Sequence, residues 1–189
     1  RRLSSAGVRV PETFGCIEGV LLMELVTDEH GDVAPRLADV SMSAEQAIED
    51  HAVVMEYVKR MLCAGVIHGD LSEFNVLVDE YGPVIIDLPQ AVDAAANNHA
   101  ESMLTRDVEN MANYYGQFAP ELLTSRYAQE MWALYQDGEL TADTELSGFA
   151  EEDTHVADVD NVMEEIKAVL AEEKAKQERL REAEESDDD

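Results

Sequence analysis

Aromatic residues are scarce, 6% of 189 positions with a single Trp, so the core has to be mostly aliphatic. Two cysteines, Cys16 and Cys63, are too few for a disulfide framework or a cysteine-based zinc site. No run of about 18 apolar residues occurs, and nothing at the N-terminus resembles a signal peptide. The expectation is a soluble, cytoplasmic protein with no membrane association. Basic residues are the rarest resource: 13 Lys and Arg face 42 Asp and Glu, for a net charge of −29. Such a surface repels nucleic-acid phosphates and anionic lipid. That excludes a general nucleic-acid binder and leaves no direct nucleic-acid signal. What the chain does have is 46% hydrophobic residues, a normal share for one domain that buries a core.

The acidity is spread along the chain. Residues 1–150 hold 26 acids and 8 bases, net −18, and residues 151–189 hold 16 and 5, net −11. Lys59 is the only lysine of the first stretch. Two accounts stay open: ordinary acidity, or adaptation to a high-salt cytoplasm, where screening suppresses self-repulsion. There is no initiating Met, and Arg1-Arg2-Leu3 reads as the end of a helix already under way, punctuated by Ala6-Gly7. The expectation is a chain that continues a longer protein.

Thr13 to Ile17 and Val20 to Val26, divided by Glu18-Gly19, predict a hairpin whose almost wholly apolar second strand is buried. Ser43, with Gln46 three residues on, predicts the N-terminus of a long helix that Gly65 ends. Asn75 to Val78 and Pro83 to Ile86 predict a second hairpin. Two more helices are expected at about Ala100 to Gln117 and Pro120 to Gln136. From Glu151 a helix face persists through Leu170, after which the chain is nearly all polar and should fray into disorder. His30, His51 and His155 read as surface residues.

Chemistry concentrates in two short segments. His68-Gly69-Asp70-Leu71-Ser72-Glu73-Phe74-Asn75 lies between the long helix and a strand. An Asp followed five residues later by an Asn, on a loop entering a strand, matches the catalytic loop of protein kinases. Asp70 can accept the proton of an attacking hydroxyl, and Asn75 offers a neutral oxygen to a phosphate-burdened Mg²⁺. Twelve residues on, Val84-Ile85-Ile86-Asp87 ends an apolar strand in a carboxylate placed to hold that metal. One strand-ending Asp is ordinarily a turn residue; three such groups around one hairpin are a strong signal.

These segments resemble the RIO kinases, a family of atypical protein kinases, over about Arg9 to Gly148. The most specific match is His68 to Asn75. Next come Ile86-Asp87-Leu88-Pro89-Gln90, where the family keeps Asp-x-x-Gln, and His99 with Leu104, Arg106-Asp107, Asn110 and Tyr114-Tyr115. The resemblance implies an α+β fold, a kinase-like C-lobe that is mainly helical with short β-hairpins, followed by an acidic helical or disordered tail. Its divisions are residues 1–42 as the end of the N-lobe and the hinge, 43–148 as the C-lobe and 149–189 as the tail. It makes Asp70 the catalytic base and Asn75 and Asp87 the ligands of Mg²⁺ or Mn²⁺, with ATP as substrate. In members acting mainly as ATPases, Asp87 becomes a transient phospho-acceptor as well. Met23, Glu24 and Leu25 correspond to the strand and hinge that meet adenine, with Leu77 and Ile86 as the apolar floor. A core role for Met23 is an equally simple account. His68, Ser72 and Gln90 support the loop, and Arg106 with Asp107 is expected to form an internal ion pair that anchors it. A protein substrate or a pre-ribosomal particle is the partner the resemblance implies.

The sequence departs from the pattern of a complete kinase. It contains no Gly-x-Gly-x-x-Gly, and Lys59 falls on the predicted long helix, away from any strand. Two other accounts remain: a small-molecule phosphotransferase of the aminoglycoside or choline kinase type, which uses a similar loop, and a non-catalytic fragment that recruits a partner.

Overall fold

A computed structural model describes residues 1–148; the expectations for the acidic tail, His155 included, lie outside them. Helices and strands are mixed, and the strands form three separate antiparallel pairs. The order is α1 (Arg2–Ser5), β1 (Thr13–Ile17), β2 (Val20–Met23), α2 (Ala44–Cys63), β3 (Val66–Ile67), β4 (Val76–Asp79), β5 (Gly82–Ile85), β6 (Val92–Asp93), α3 (Ala100–Tyr115) and α4 (Tyr127–Gln136).

Local signals explain most of these boundaries. Ser43 caps α2 by accepting the Gln46 backbone N–H at 3.2 Å, satisfying one of the orphan donors of the first turn. The reciprocal half of the expected capping box is absent, because the Gln46 side chain donates instead to Asp50 at 2.9 Å. Glu18 and Gly19 both take positive φ, 51° and 83°, as a two-residue hairpin turn between β1 and β2 requires. The helix expected from Pro120 to Gln136 divides into a 3₁₀ turn at Pro120–Thr124 and α4, the break falling at Ser125, whose backbone is extended.

The core lies where α2, α3 and α4 pack together. Val54, Met61 and Leu62 of α2 meet Leu104 and Met111 of α3 and Met131 of α4, with Ile67 of β3 and Leu71 of the following loop beneath them. Two devices fasten the periphery. Arg9 holds Asp79 through a fork of 2.6 and 2.9 Å while its carbonyl accepts the Ile85 N–H, tying the first connector to β4–β5. Buried Lys59 donates to the Thr144 carbonyl and pairs with Glu56, both at 2.7 Å, so this cation closes the last described segment onto α2.

Two expectations about burial fail. β2 is exposed, with Val20 at 69% and Leu22 at 57% accessible. An apolar run specifies a strand, but burial needs a layer on its faces, and among the described residues nothing covers those of this two-stranded ribbon. His51 is the second correction: it is 1% exposed, edge-on to Tyr115, with its Nε2 unpartnered among the described residues.

Burial holds the His51 imidazole down at about 4 from the ordinary 6.5. Between those values the unfolded chain takes up a proton that the native state refuses. Stability therefore falls as pH drops from about 6.5 toward 4, by at most about 1.4 kcal/mol per unit from this group. His51→Phe keeps the ring contacts and removes the titration. Denaturant midpoints at pH 7 and 4.5 should differ less in the variant than in wild type; equal differences would show that His51 contributes nothing to acid sensitivity.

Candidate active site

The loop from His68 to Asn75 joins β3 to β4 and rests on α3. Gly69 has φ +82°, and a Cβ there would come within 2.7 Å of the Gln90 carbonyl oxygen, so the loop tolerates only glycine at this crossing. Asp70 follows, exposed, and its carboxylate has no hydrogen-bond or ion-pair partner among the described residues.

The backbone around Asp70 is fully held. Asp107, 2% exposed on α3, accepts the Gly69 N–H at 2.7 Å on one oxygen and the Leu71 N–H at 2.9 Å on the other. Burial pushes the Asp107 carboxyl above its ordinary value, and the pull of these two N–H groups offsets only part of that. Arg106 donates to the Gly69 carbonyl, and Asn110 donates to the Leu71 carbonyl at 2.9 Å. Asn75 Nδ2 donates to the Asp70 carbonyl at 2.7 Å, and His68 Nδ1 accepts the Asp70 N–H at 3.3 Å.

Arg106 and Asp107 do not form the ion pair expected from their adjacency. Neighbouring helix residues point in different directions, and here each takes its own group on the loop. Asn110, one turn beyond Arg106, has a part in this arrangement that the sequence reading left without a role. Its spacing from Arg106 and Asp107, four and three residues, was the available signal.

Asp87 closes the arrangement. It follows Ile86 directly after β5, is exposed, and has φ +63°, a left-handed conformation that Asp tolerates better than most residues. Two bonds fix its segment to the loop: Ile86 N–H donates to the Asn75 carbonyl at 3.0 Å, and His68 Nε2 lies 3.0 Å from the Ile86 carbonyl. His68, 2% exposed, thus bridges the backbone of Asp70 and the residue before Asp87. Like Asp70, Asp87 has no partner for its carboxylate among the described residues.

The remaining site residues are less gathered. Leu77 packs with Val26, Ala34 and Val84, and Ile86 is half-buried beside Asn75. Met23 is 41% and Leu25 65% exposed, and Glu24 is exposed too, so Met23 is no core residue of residues 1–148. Ser72 is half-buried and its carbonyl accepts the Asn75 N–H at 2.9 Å; Gln90 is exposed and meets Gly69 through its backbone. Lys59, committed to Thr144 and Glu56 on α2, takes no part.

Among the described residues no three His, Cys, Asp or Glu side chains come together as a metal group. The oxygens at hand are the Asp87 carboxylate and the Asn75 amide oxygen, whose nitrogen is already committed. A small hard cation that keeps several waters and borrows phosphate oxygens asks for no larger protein set, so these residues fit Mg²⁺.

Comparison with known proteins shows the family. The family model described as RIO domain matches residues 1–128. The RIO-type serine/threonine-protein kinase Rio1 of Haloferax volcanii is 43% identical over 114 residues, covering 60% of this chain and 38% of the relative. Rio2 of Methanocaldococcus jannaschii is 40% identical over 114 residues, covering 59% of this chain and 40% of the relative. Human serine/threonine-protein kinase RIO1 is 31% identical over 141 residues, covering 74% and 24%. The chain thus spans well under half the length of these relatives. No described helix is long and apolar enough to cross a membrane.

Proposed function

The chain belongs to the RIO domain family, and on that footing we propose that it carries the catalytic-loop and metal-binding half of an ATP-dependent serine/threonine protein kinase or ATPase of the RIO type. Residues 43–148 act as the C-terminal lobe of that enzyme, and residues 1–42 as the end of its N-terminal lobe and the hinge. The observation that carries this reading is the pair of exposed, unpartnered carboxylates, Asp70 and Asp87, on two segments that His68 and Asn75 bind to each other. Neither carboxylate is spent on a bond within residues 1–148, and both lie on backbone held from several sides.

In this proposal Asp70 accepts, or orients, the proton of the attacking hydroxyl. Asn75 and Asp87 hold Mg²⁺ or Mn²⁺, which when bound supplies charge neutralisation between the phosphates of ATP. Leu77 and Ile86 form the wall beneath adenine, and Met23 to Leu25 the strand end and hinge beside it. In the ATPase form of this reading the Asp87 carboxylate takes the γ-phosphoryl of ATP, ADP leaves, and water then hydrolyses the acyl phosphate to restore the carboxylate. A protein acceptor in the cytoplasm, in the setting of small-subunit ribosome maturation, completes the reading by family membership.

The direct test is metal dependence. In the complete polypeptide that carries this chain, Mg²⁺ should tighten ATP binding, and Asp87→Asn should abolish most of that gain while leaving metal-free binding unchanged. Titrations with and without Mg²⁺ measure both. Equal affinities under the two conditions in wild type would remove Asp87 from the metal site and the proposal with it.

A further inference from the structure

Gly69, Asp70 and Leu71 present six backbone hydrogen-bonding groups, and side chains take every one. None of the six joins a helix or sheet ladder, so the direction in which the Asp70 side chain leaves the backbone depends on side chains alone. Two peptide planes set that direction. The plane after Asp70 is pinned at both ends, by Asn75 on its carbonyl at 2.7 Å and by Asp107 on the Leu71 N–H at 2.9 Å. The plane before Asp70 is held at its N–H end only by the longer 3.3 Å bond to His68. Its other end, the Gly69 carbonyl, belongs to Arg106.

Gly69 makes this end decisive. A glycine at φ +82° restricts its own rotation less than any other residue, so the plane that follows it needs an external hold. Arg106 supplies that hold from an exposed position on α3, where its guanidinium has no carboxylate partner within salt-bridge distance among the described residues. It fills no core space.

We propose that Arg106 is a positioning residue for the transfer reaction: through the Gly69 carbonyl it orients the peptide plane that aims the Asp70 carboxylate, and it touches neither nucleotide nor acceptor. Asn110 extends the same control by one residue, through the Leu71 carbonyl. This inference rests on the assignment of Asp70 as the catalytic base.

The test compares Arg106→Met, Arg106→Lys and Asp70→Asn in the complete polypeptide, singly and with Arg106→Met combined with Asp70→Asn. Arg106→Met should lower kcat by about 10- to 100-fold, the scale of a misaimed catalytic group. KM for MgATP should stay within about twofold and the thermal midpoint should not move. Arg106→Lys, which keeps one donor for one carbonyl, should recover most of the loss. In the Asp70→Asn background Arg106→Met should add no more than about twofold, because its effect passes through the carboxylate already removed. Unchanged kcat, a multiplicative loss in the double variant, or a parallel loss of MgATP affinity and stability would each overturn the proposal. If instead Asp70→Asn alone keeps wild-type turnover, the base assignment has failed. An independent readout needs no turnover: in residues 1–189 the Asp70 amide resonance should shift in Arg106→Met and return toward its wild-type position in Arg106→Lys. An Asp70 amide indifferent to Arg106→Met would also overturn it.

Discussion

Asp70→Asn is expected to lower turnover of the complete polypeptide by about 10²–10⁴-fold, the usual worth of a general base, while MgATP affinity stays within about twofold. The structure separates these effects cleanly. The six bonds that hold residues 69–71 all use their backbone, and none uses the Asp70 carboxylate. Asn has the same shape as Asp, so the clamp persists while proton acceptance is lost. An exposed group without partners also contributes little to folding, and the thermal midpoint should be unchanged. Steady-state turnover, a MgATP titration and a melt measure the three quantities. Wild-type turnover in the variant would falsify the assignment of Asp70 as base.

How much of this site was readable from residues alone follows from the range of each interaction. The Asp70, Asn75 and Asp87 spacing was visible because a loop and the hairpin after it are contiguous in sequence. Ser43 and the Glu18-Gly19 turn were visible for the same reason, since caps and turns are decided within about four residues. The hold on Gly69 and Leu71 was not, because it joins positions 36 to 39 residues apart. Adjacency suggested that Arg106 and Asp107 pair, and helix geometry sends them to different groups. The burial of His51, by contrast, is legible in the sequence. Ala47, Val54, Met55 and Val58 recur on one face of α2, and His51 stands four residues from Ala47 and three from Val54, within that stripe. Exposure of β2 was beyond reach: local pattern specifies a strand, whereas its cover comes from elsewhere in the fold.

Residues 1–189 as a separate polypeptide should bind MgATP with a Kd no tighter than about 1 mM and show negligible hydrolysis, even though Asp70, Asn75 and Asp87 are all present. Affinity for a nucleotide comes chiefly from enclosing its base and meeting its phosphates with cations. Leu77 and Ile86 offer one apolar wall. The end of β2 and the hinge after it, which should stand beside adenine, leave Met23 41% and Leu25 65% exposed, and the rest of the β1–β2 ribbon presents Phe14, Ile17 and Leu22 to solvent. An open wall buries far less of a ligand than the roughly 70–90% that small-molecule pockets achieve. Electrostatics works in the same direction, because residues 1–150 carry a net −18 and the nucleotide is itself an anion. Lys59 cannot compensate, being held by Glu56 and Thr144 in the interior. Each of these terms weakens binding without altering the aim of the catalytic groups, so what falls is affinity. Calorimetry with MgATP measures it directly. Micromolar affinity would mean either that adenine sits elsewhere on the molecule or that the exposed ribbon folds over the nucleotide when it arrives.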